Sequence, residues 1–187
     1  MIHPPTPSQT LGPYFAIGLP FDGQELVVPA DTPGALRIFG TIYDGAGDPI
    51  PDYILETWQP DGDGNFADIH GYGGASQLGG FRGFARQGEE DGDGAYEIVT
   101  VKPGRVAGAD GSLQAPHIDV TVMARGMLNR VVTRIYFADE ADANAGDQVL
   151  RSVPAERRHT LLAQPQDGGY RFDIRIQGGD ETVFFAV

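Results

Sequence analysis

Histidines and carboxylates are the side chains of this 187-residue sequence with the clearest potential for metal chemistry. His117 and Asp119 are separated by one residue within a β-rich run, so both side chains should lie on the same side of a strand. A metal site built from imidazoles needs two or three such groups, usually together with carboxylates. Taken alone, the pair fits better with a strand histidine that hydrogen-bonds to the neighbouring backbone.

A calcium loop is the second metal site that the sequence suggests. Residues 61–65, DGDGN, resemble the start of such a loop, which requires glycine at its sixth position and glutamate at its twelfth. Those positions hold Phe66 and Tyr72. The similar DGDG at 91–94 precedes a strand, where these residues commonly form tight turns, and we therefore predict hairpin turns at both places.

Several other kinds of chemistry lack their characteristic residues. The sequence has no cysteine, which excludes disulfides, thiolate metal sites, iron–sulfur clusters and a cysteine nucleophile. It also has no G-x-S-x-G motif and no glycine-rich loop between a strand and a helix. The formal net charge of −13 disfavours binding to nucleic acid or to anionic membranes.

Three arginines, Arg125, Arg130 and Arg134, interrupt a segment that is otherwise apolar or uncharged between Met123 and Phe137. An arginine in this setting could neutralise an anionic substrate or a carboxylate of a partner protein. It could equally lie at the end of a strand and extend into water, which the pattern alone favours.

Strands must position most of these residues, since apolar residues alternate with polar ones in seven runs punctuated by Gly, Pro and Asp. We predict an all-β, antiparallel β-sandwich with short helices only, at 140–145 and 155–163, in one domain spanning residues 1–187. The predicted strands cover residues 36–43, 53–59, 96–101, 117–124 and 131–137, with a final hairpin of 170–177 and 182–187.

Two segments do not have the pattern of sandwich strands. Residues 4–21 are apolar but rich in Pro and Gly, so we predict an extended arm that lies on its own sheet or on another chain. Residues 66–86 are rich in glycine and aromatic residues and are predicted to form a long irregular loop. The N-terminus does not resemble a signal peptide and no apolar run approaches 18 residues, so we expect a cytoplasmic protein.

Three blocks of the sequence, taken in order, resemble the intradiol aromatic-ring dioxygenases, and within them the α chains of the two-chain members that cleave protocatechuate. The resemblance covers nearly the whole chain and includes the C-terminal YRFDIRIQG and ETVFF. The three blocks are TPSQTLGPYF at 6–15, LETWQPD at 55–61, and APHIDVTV at 115–122 continuing through ARG at 124–126 to TRIYF at 133–137.

The resemblance also indicates which iron ligands are missing. In this family the iron-bearing chain holds Fe(III) with two tyrosines and two histidines spaced H-x-H. Here the H-x-H position reads His117-Ile118-Asp119, and the tyrosine expected after Pro103-Gly104 is replaced by Arg105. Tyr72 lies within about a residue of the other tyrosine position. The resemblance therefore implies that Tyr72, His117 and Asp119 are vestigial ligand positions, and that Fe(III) is bound by a partner β chain.

The resemblance further implies that the chain completes a substrate pocket at an interface with this β chain. The matching positions are Gly12, Pro13 and Arg125, with Thr10 and Tyr14 beside them on the arm, residues 1–21, that packs on the partner. A Gly-Pro turn allows the backbone to approach a planar ring closely, and Arg125 would supply positive potential near anionic protocatechuate. The assembly would insert both atoms of O₂ into the ring and would form a higher α/β oligomer.

Two alternatives remain open from the sequence. One is a complete dioxygenase with unusual ligands, which would use Tyr72, His117, Asp119 and one further residue. The other is a β-sandwich module that binds carbohydrate or calcium and shares only the fold.

Overall fold

Nine strands and three short helices make up the elements that the described residues define from end to end. We analysed a computed structural model, which describes residues 4–12, 15, 18–67, 80–89 and 92–186. None of the helices in these ranges has the length and apolar character needed to cross a bilayer. The strands are β1 Leu36–Tyr43, β2 Tyr53–Trp58, β3 Phe84–Glu89, β4 Ala95–Thr100, β5 His117–Ala124, β6 Val131–Phe137, β7 Leu162–Gln166, β8 Gly169–Arg171 and β9 Ile174–Arg175; the helices are α1 Ala141–Gly146, α2 Gln148–Ser152 and a 3₁₀ helix, η1, Ala155–Leu161.

The strands are hydrogen-bonded in the order β3-β2-β5-β6-β7-β8-β1-β4, with β9 also paired to β1. The pairs in the β3-β2-β5-β6 half are antiparallel, as are β7 with β8 and β1 with β4. Three pairs are parallel, namely β6 with β7 and β1 with both β8 and β9. The predicted β-sandwich class is confirmed, and the sheet is mixed because the C-terminal strands return beside β1.

The two outer strands of this path, β3 and β4, are joined by the segment 24–27. The Val27 N–H donates to the Val99 carbonyl at 2.8 Å, and the Val99 N–H donates to the Glu25 carbonyl at 3.0 Å. On the other side, the Arg86 N–H of β3 donates to the Gln24 carbonyl at 2.8 Å. This segment satisfies backbone groups that would otherwise lie on open sheet edges.

Alternation along β5 determines which side chains can reach a site. Ile118, Val120 and Val122 are buried in the main core, whereas Asp119, Thr121 and Met123 lie half-buried on the opposite face. Part of that opposite face is covered by α1, α2 and η1, whose packing creates a second apolar cluster. The buried members of this cluster are Ala115, Tyr136, Leu150, Val153 and Leu161.

The strand predictions are confirmed for β1, β5 and β6, and three other elements differ from prediction. Residues 84–86, which we predicted to be loop, begin β3, and the helix predicted to reach 163 ends at Leu161, where β7 follows. The predicted strand at 182–187 is wrong for its described residues, because Thr182 bonds to Arg175 through its N–H and Phe185 bonds to Val132. The tail thus crosses from β9 to β6 and cannot pair back as a hairpin.

Candidate functional site

The N-terminal arm meets the turn that follows β5. The Gly126 N–H donates a hydrogen bond to Thr10 Oγ1 at 2.7 Å, and Gly126 has a φ of +91°, which the turn requires. Residues 4–10 and Gly12 are exposed, and no atom lies within 4 Å of a Cβ placed on Gly12. Thr10 is therefore brought next to the turn that contains Arg125, while Pro13 and Tyr14 lie outside the described residues.

Arg125 lies in this turn and forms an ion pair with Asp52. Its Nε is 2.8 Å from Asp52 Oδ2, yet its side chain remains 70% exposed, compared with 17% for Asp52. The two residues face one another across neighbouring strands. Tyr53 of β2 is paired with Ala124 of β5, and Asp52 and Arg125 are the next residues beyond this pair. The Arg125 side chain is thus held against Asp52 and remains largely exposed to an anion approaching from outside.

Open cavities lie on both sides of this turn. One, of about 560 Å³, lies under the arm and is lined by Gln9, Leu11, Met127, Leu128 and Phe185, among others. A second, of about 280 Å³, has Asp52, Arg125 and Met127 in its wall. The exposed arm, the exposed Leu128 and these open cavities make this end of the molecule suited to contact with another chain.

His117 is almost fully buried, with 4% of its surface exposed. Its Nδ1 lies 2.8 Å from the Ala115 carbonyl, and its ring centroid is 5.7 Å from that of Tyr136. Burial lowers the pKa of His117, and the positive charge of Arg134 lowers it further. A neutral imidazole that donates from Nδ1 to Ala115 fits this site, which confirms the structural interpretation based on the sequence.

Asp119 is engaged by a cation from the neighbouring strand. Arg134 lies directly opposite it in the β5–β6 register, and the Arg134 Nε donates to Asp119 Oδ1 at 2.9 Å. Arg134 also donates to Gln114 Oε1 at 2.8 Å. The pair lines a third cavity, of about 620 Å³, beside Arg130 and Phe185.

The described residues at the predicted ligand positions do not fit a ferric site. Within the described part of the chain, no three His, Asp or Glu side chains lie close enough together to hold a metal ion. Arg105, at the position where the resemblance expects a tyrosine, donates instead to the carbonyls of Leu113 and Gln114. Tyr72, the remaining vestigial position, lies outside the described residues.

The acidic turns are stabilised by their own backbone. Asp61 Oδ1 accepts hydrogen bonds from the N–H groups of Asp63 at 3.0 Å and Asn65 at 2.8 Å, and Asp93 Oδ1 accepts from Ala95 at 3.0 Å. Both are tight turns, but the predicted hairpins are wrong, because β3 and β4 are not paired and β2 pairs with β3 only across the long segment 59–83. One carboxylate oxygen of Asp61 and one of Asp93 are thus used within the turns. His159 lies exposed on η1.

Sequence reasoning missed Asp52. It belongs to no motif, and its only signal is its place just before β2. Its importance depends on the pairing of β2 with β5, which local sequence does not reveal.

Comparison with known proteins places these features in context. The family model described as Dioxygenase matches residues 10–178. The protocatechuate 3,4-dioxygenase alpha chain of Burkholderia cepacia is 49% identical, over 97% of this chain and 97% of that one. The beta chain from the same organism is 26% identical over 78% of this chain and 65% of its own length.

A solved structure of a dioxygenase domain has a similar fold. The dioxygenase domain of a fusion between a dioxygenase and a carbohydrate-binding protein, from Streptomyces sp. SirexAA-E, superposes with a TM-score of 0.60 at 25% identity. It covers 94% of this chain and 100% of that domain.

Proposed function

Because this chain belongs to the dioxygenase family of intradiol ring-cleaving enzymes, we propose that it serves as the non-iron alpha chain of a protocatechuate 3,4-dioxygenase. The observation that carries this proposal is the 49% identity to the alpha chain of Burkholderia cepacia over almost the full length of both proteins. In the assembly, O₂ cleaves protocatechuate between its two hydroxyl-bearing carbons to give 3-carboxy-cis,cis-muconate.

The partner in this proposal is a protocatechuate 3,4-dioxygenase beta chain, which binds the Fe(III). The likeness between this chain and the beta chain of Burkholderia cepacia supports a partner of similar fold. The engagement of His117 with Ala115 and of Asp119 with Arg134 supports placing the iron on the partner. Ferric ion supplies the activation of catecholate and O₂, and hard oxygen ligands suit it.

This chain contributes a pocket wall and electrostatics. The arm, residues 1–21, packs on the partner, and Gly12 and Pro13 bring backbone close to the aromatic ring, with Tyr14 beside them. Thr10 ties the arm to the turn through Gly126, so that Arg125 and the arm approach the partner together. The exposed guanidinium of Arg125 stabilises the negative charge of the substrate.

The experiment that tests this proposal compares the isolated chain with the co-expressed alpha and beta chains. We expect the complex to contain iron in proportion to its beta chain and to cleave protocatechuate, while the isolated alpha chain is colourless and inactive. Iron and ring cleavage in the isolated alpha chain would contradict the division of labour. An alpha chain that neither associates with the beta chain nor changes its activity would contradict the proposed role altogether.

The alternative of a carbohydrate- or calcium-binding module has no supporting observation. The relatives described above are named as dioxygenases or as chains of one, and Asp61 and Asp93 each use a carboxylate oxygen within their own turns. The alternative of a complete dioxygenase is addressed by the iron content of the isolated chain.

A further inference from the structure

The ion pair between Arg125 and Asp52 has a geometry that fits a positioning role. Arg125 follows β5 directly and has a long side chain that is 70% exposed, so in the absence of a restraint it would sample many rotamers. Asp52 is mostly buried, with 17% of its side chain exposed, and its carboxylate lies 2.8 Å from Nε. The Asp52 side chain is therefore more restricted than the Arg125 side chain that it holds.

The backbone supports the same arrangement. The Arg125 N–H faces the Asp52 carbonyl at 3.4 Å, extending the ladder between β2 and β5 by one pair. On the other side of the turn, Gly126 is fixed to Thr10. Both ends of the short segment that presents the guanidinium are thus attached to other parts of the chain.

We propose that Asp52 is a positioning residue, which restrains the Arg125 guanidinium in the orientation that meets the anionic substrate at the partner's iron site. This inference rests on the proposed function. Asp52 acts through Arg125 and does not itself touch the substrate. Since the Arg125 side chain stays 70% exposed beside Asp52, it remains accessible to the substrate.

Restraint and charge predict opposite effects when Asp52 is removed. A carboxylate beside Arg125 partly cancels its positive potential, so loss of charge alone would improve binding of an anion and lower KM. Loss of restraint would raise KM, because ordering a free arginine costs conformational entropy at each binding event. The high exposure of Arg125 means that solvent and salt screen the charge effect, whereas the restraint is not screened.

The test is a double-mutant cycle on the alpha/beta complex, with KM and kcat measured for protocatechuate. We expect Arg125→Ala to raise KM by about tenfold or more, as for loss of a charged hydrogen bond. Asp52→Ala should raise KM about threefold to fivefold, as expected for an exposed ion pair, with little change in kcat. In the Arg125→Ala background, Asp52→Ala should have no further effect on KM.

Two further variants separate positioning by Asp52 from a general loss of negative charge and from a failure to assemble. Asp48→Ala removes an equal charge from an exposed site in the preceding loop and should leave KM unchanged. Asp52→Asn keeps an acceptor oxygen and the side-chain volume, so it should raise KM less than Asp52→Ala, and it remains informative if the alanine variant fails to assemble.

The contrary outcomes of the cycle are distinguishable from one another. An unchanged or lowered KM in both Asp52 variants, with KM raised in Arg125→Ala, overturns the positioning role and leaves the proposed function intact. An equal rise on Asp52→Ala in both backgrounds also overturns it, since Asp52 would then act independently of Arg125. An unchanged KM in Arg125→Ala instead contradicts the proposed function at this site.

Discussion

Thr10 Oγ1 accepts a hydrogen bond from the Gly126 N–H at 2.7 Å, and this contact joins the N-terminal arm to the turn that carries Arg125. The two residues are 116 positions apart in the chain. Residues 4–10 are exposed, so this contact is an important constraint on the direction of the arm. The contact therefore couples two parts of the proposed interface before any partner binds.

Replacement of Thr10 by valine tests this coupling. Valine keeps the β-branched shape and loses the acceptor oxygen, so the Gly126 N–H loses its partner within the chain. We expect the amide of Gly126 to exchange with solvent about fivefold to tenfold faster, consistent with a net hydrogen-bond contribution of about 1 kcal/mol. Hydrogen-exchange mass spectrometry or NMR measures this rate directly.

Thr6→Val provides the matched control, since Thr6 is an exposed threonine on the same arm. It should leave the exchange of Gly126 unchanged. Equal exchange rates for Gly126 in wild type and Thr10→Val would contradict the coupling.

Gly12 offers a way to separate folding from interface formation. A Cβ at Gly12 meets no atom within 4 Å in the described structure, so Gly12→Ala should change the free energy of unfolding by less than about 0.5 kcal/mol. If Gly12 lies against the aromatic ring in the shared pocket, the same methyl group should raise KM for protocatechuate in the complex. Urea unfolding and steady-state kinetics test the two halves of this prediction.

Gly18→Ala is the control for Gly12→Ala, because Gly18 lies on the same arm and also has open space around an added Cβ. It should change neither stability nor KM. Kinetics of Gly12→Ala identical to those of wild type would remove Gly12 from the proposed pocket wall.

The strands were predictable wherever burial imposes strict alternation. In β5, Ile118, Val120 and Val122 alternate with half-exposed residues, and this period of two is visible in the sequence. In β3, glycine and arginine conceal the alternation, and the strand exists because β2 lies beside it. The tail at 182–186 has strand-forming residues but follows hydrogen bonds to Arg175 and Val132, which only the tertiary structure defines.

The candidate site was predictable in its residue types and not in its pairings. The structural role of His117 was predictable, because a histidine on a strand usually hydrogen-bonds to the neighbouring backbone. The pairs Asp119–Arg134 and Asp52–Arg125 depend on the register of β5 with its two neighbours. The proposed function depended on ordered blocks of sequence, since no single local motif in this chain carries the chemistry.

Lys102 is the only lysine in the sequence and is surrounded by an ionic and aromatic cluster. Its Nζ lies 3.0 Å from Asp139 and 2.6 Å from Glu140, and it lies over the ring of Phe137 at 5.2 Å. Although burial alone would lower the pKa of Lys102, hydrogen bonds to Glu140 and Asp139 raise it above its usual value. The cluster links the segment before Pro103-Gly104 to the end of β6.

Lys102→Met should therefore lower the free energy of unfolding by about 1–2 kcal/mol, since two carboxylates lose their cation and the cation–π contact disappears. Arg37→Met is the matched control, because Arg37 also lies over a ring, that of Phe39 at 5.4 Å, but pairs with one carboxylate, Glu97, and both of these side chains are about half exposed. Its cost should stay below about 0.5 kcal/mol. Similar losses for the two variants in urea unfolding would show that the cluster adds nothing beyond a surface ion pair.

The pH dependence of stability should include a contribution from His117. Burial, followed by the charge of Arg134, lowers the pKa of this imidazole in the folded chain, whereas in the unfolded chain it titrates near its ordinary value of about 6.5. Below that pH the unfolded state binds more protons than the folded state, so the free energy of unfolding falls as pH decreases from about 6.5 toward the folded pKa. This group does not affect stability at higher pH.

His117→Gln, which can still donate to the Ala115 carbonyl, should lose less stability than wild type between pH 7.5 and pH 5.5 in urea unfolding. His159→Gln changes an exposed histidine on η1 and should keep the wild-type dependence. The same loss of stability in wild type and His117→Gln over this range would show that His117 takes up a proton in the folded chain as readily as in the unfolded one.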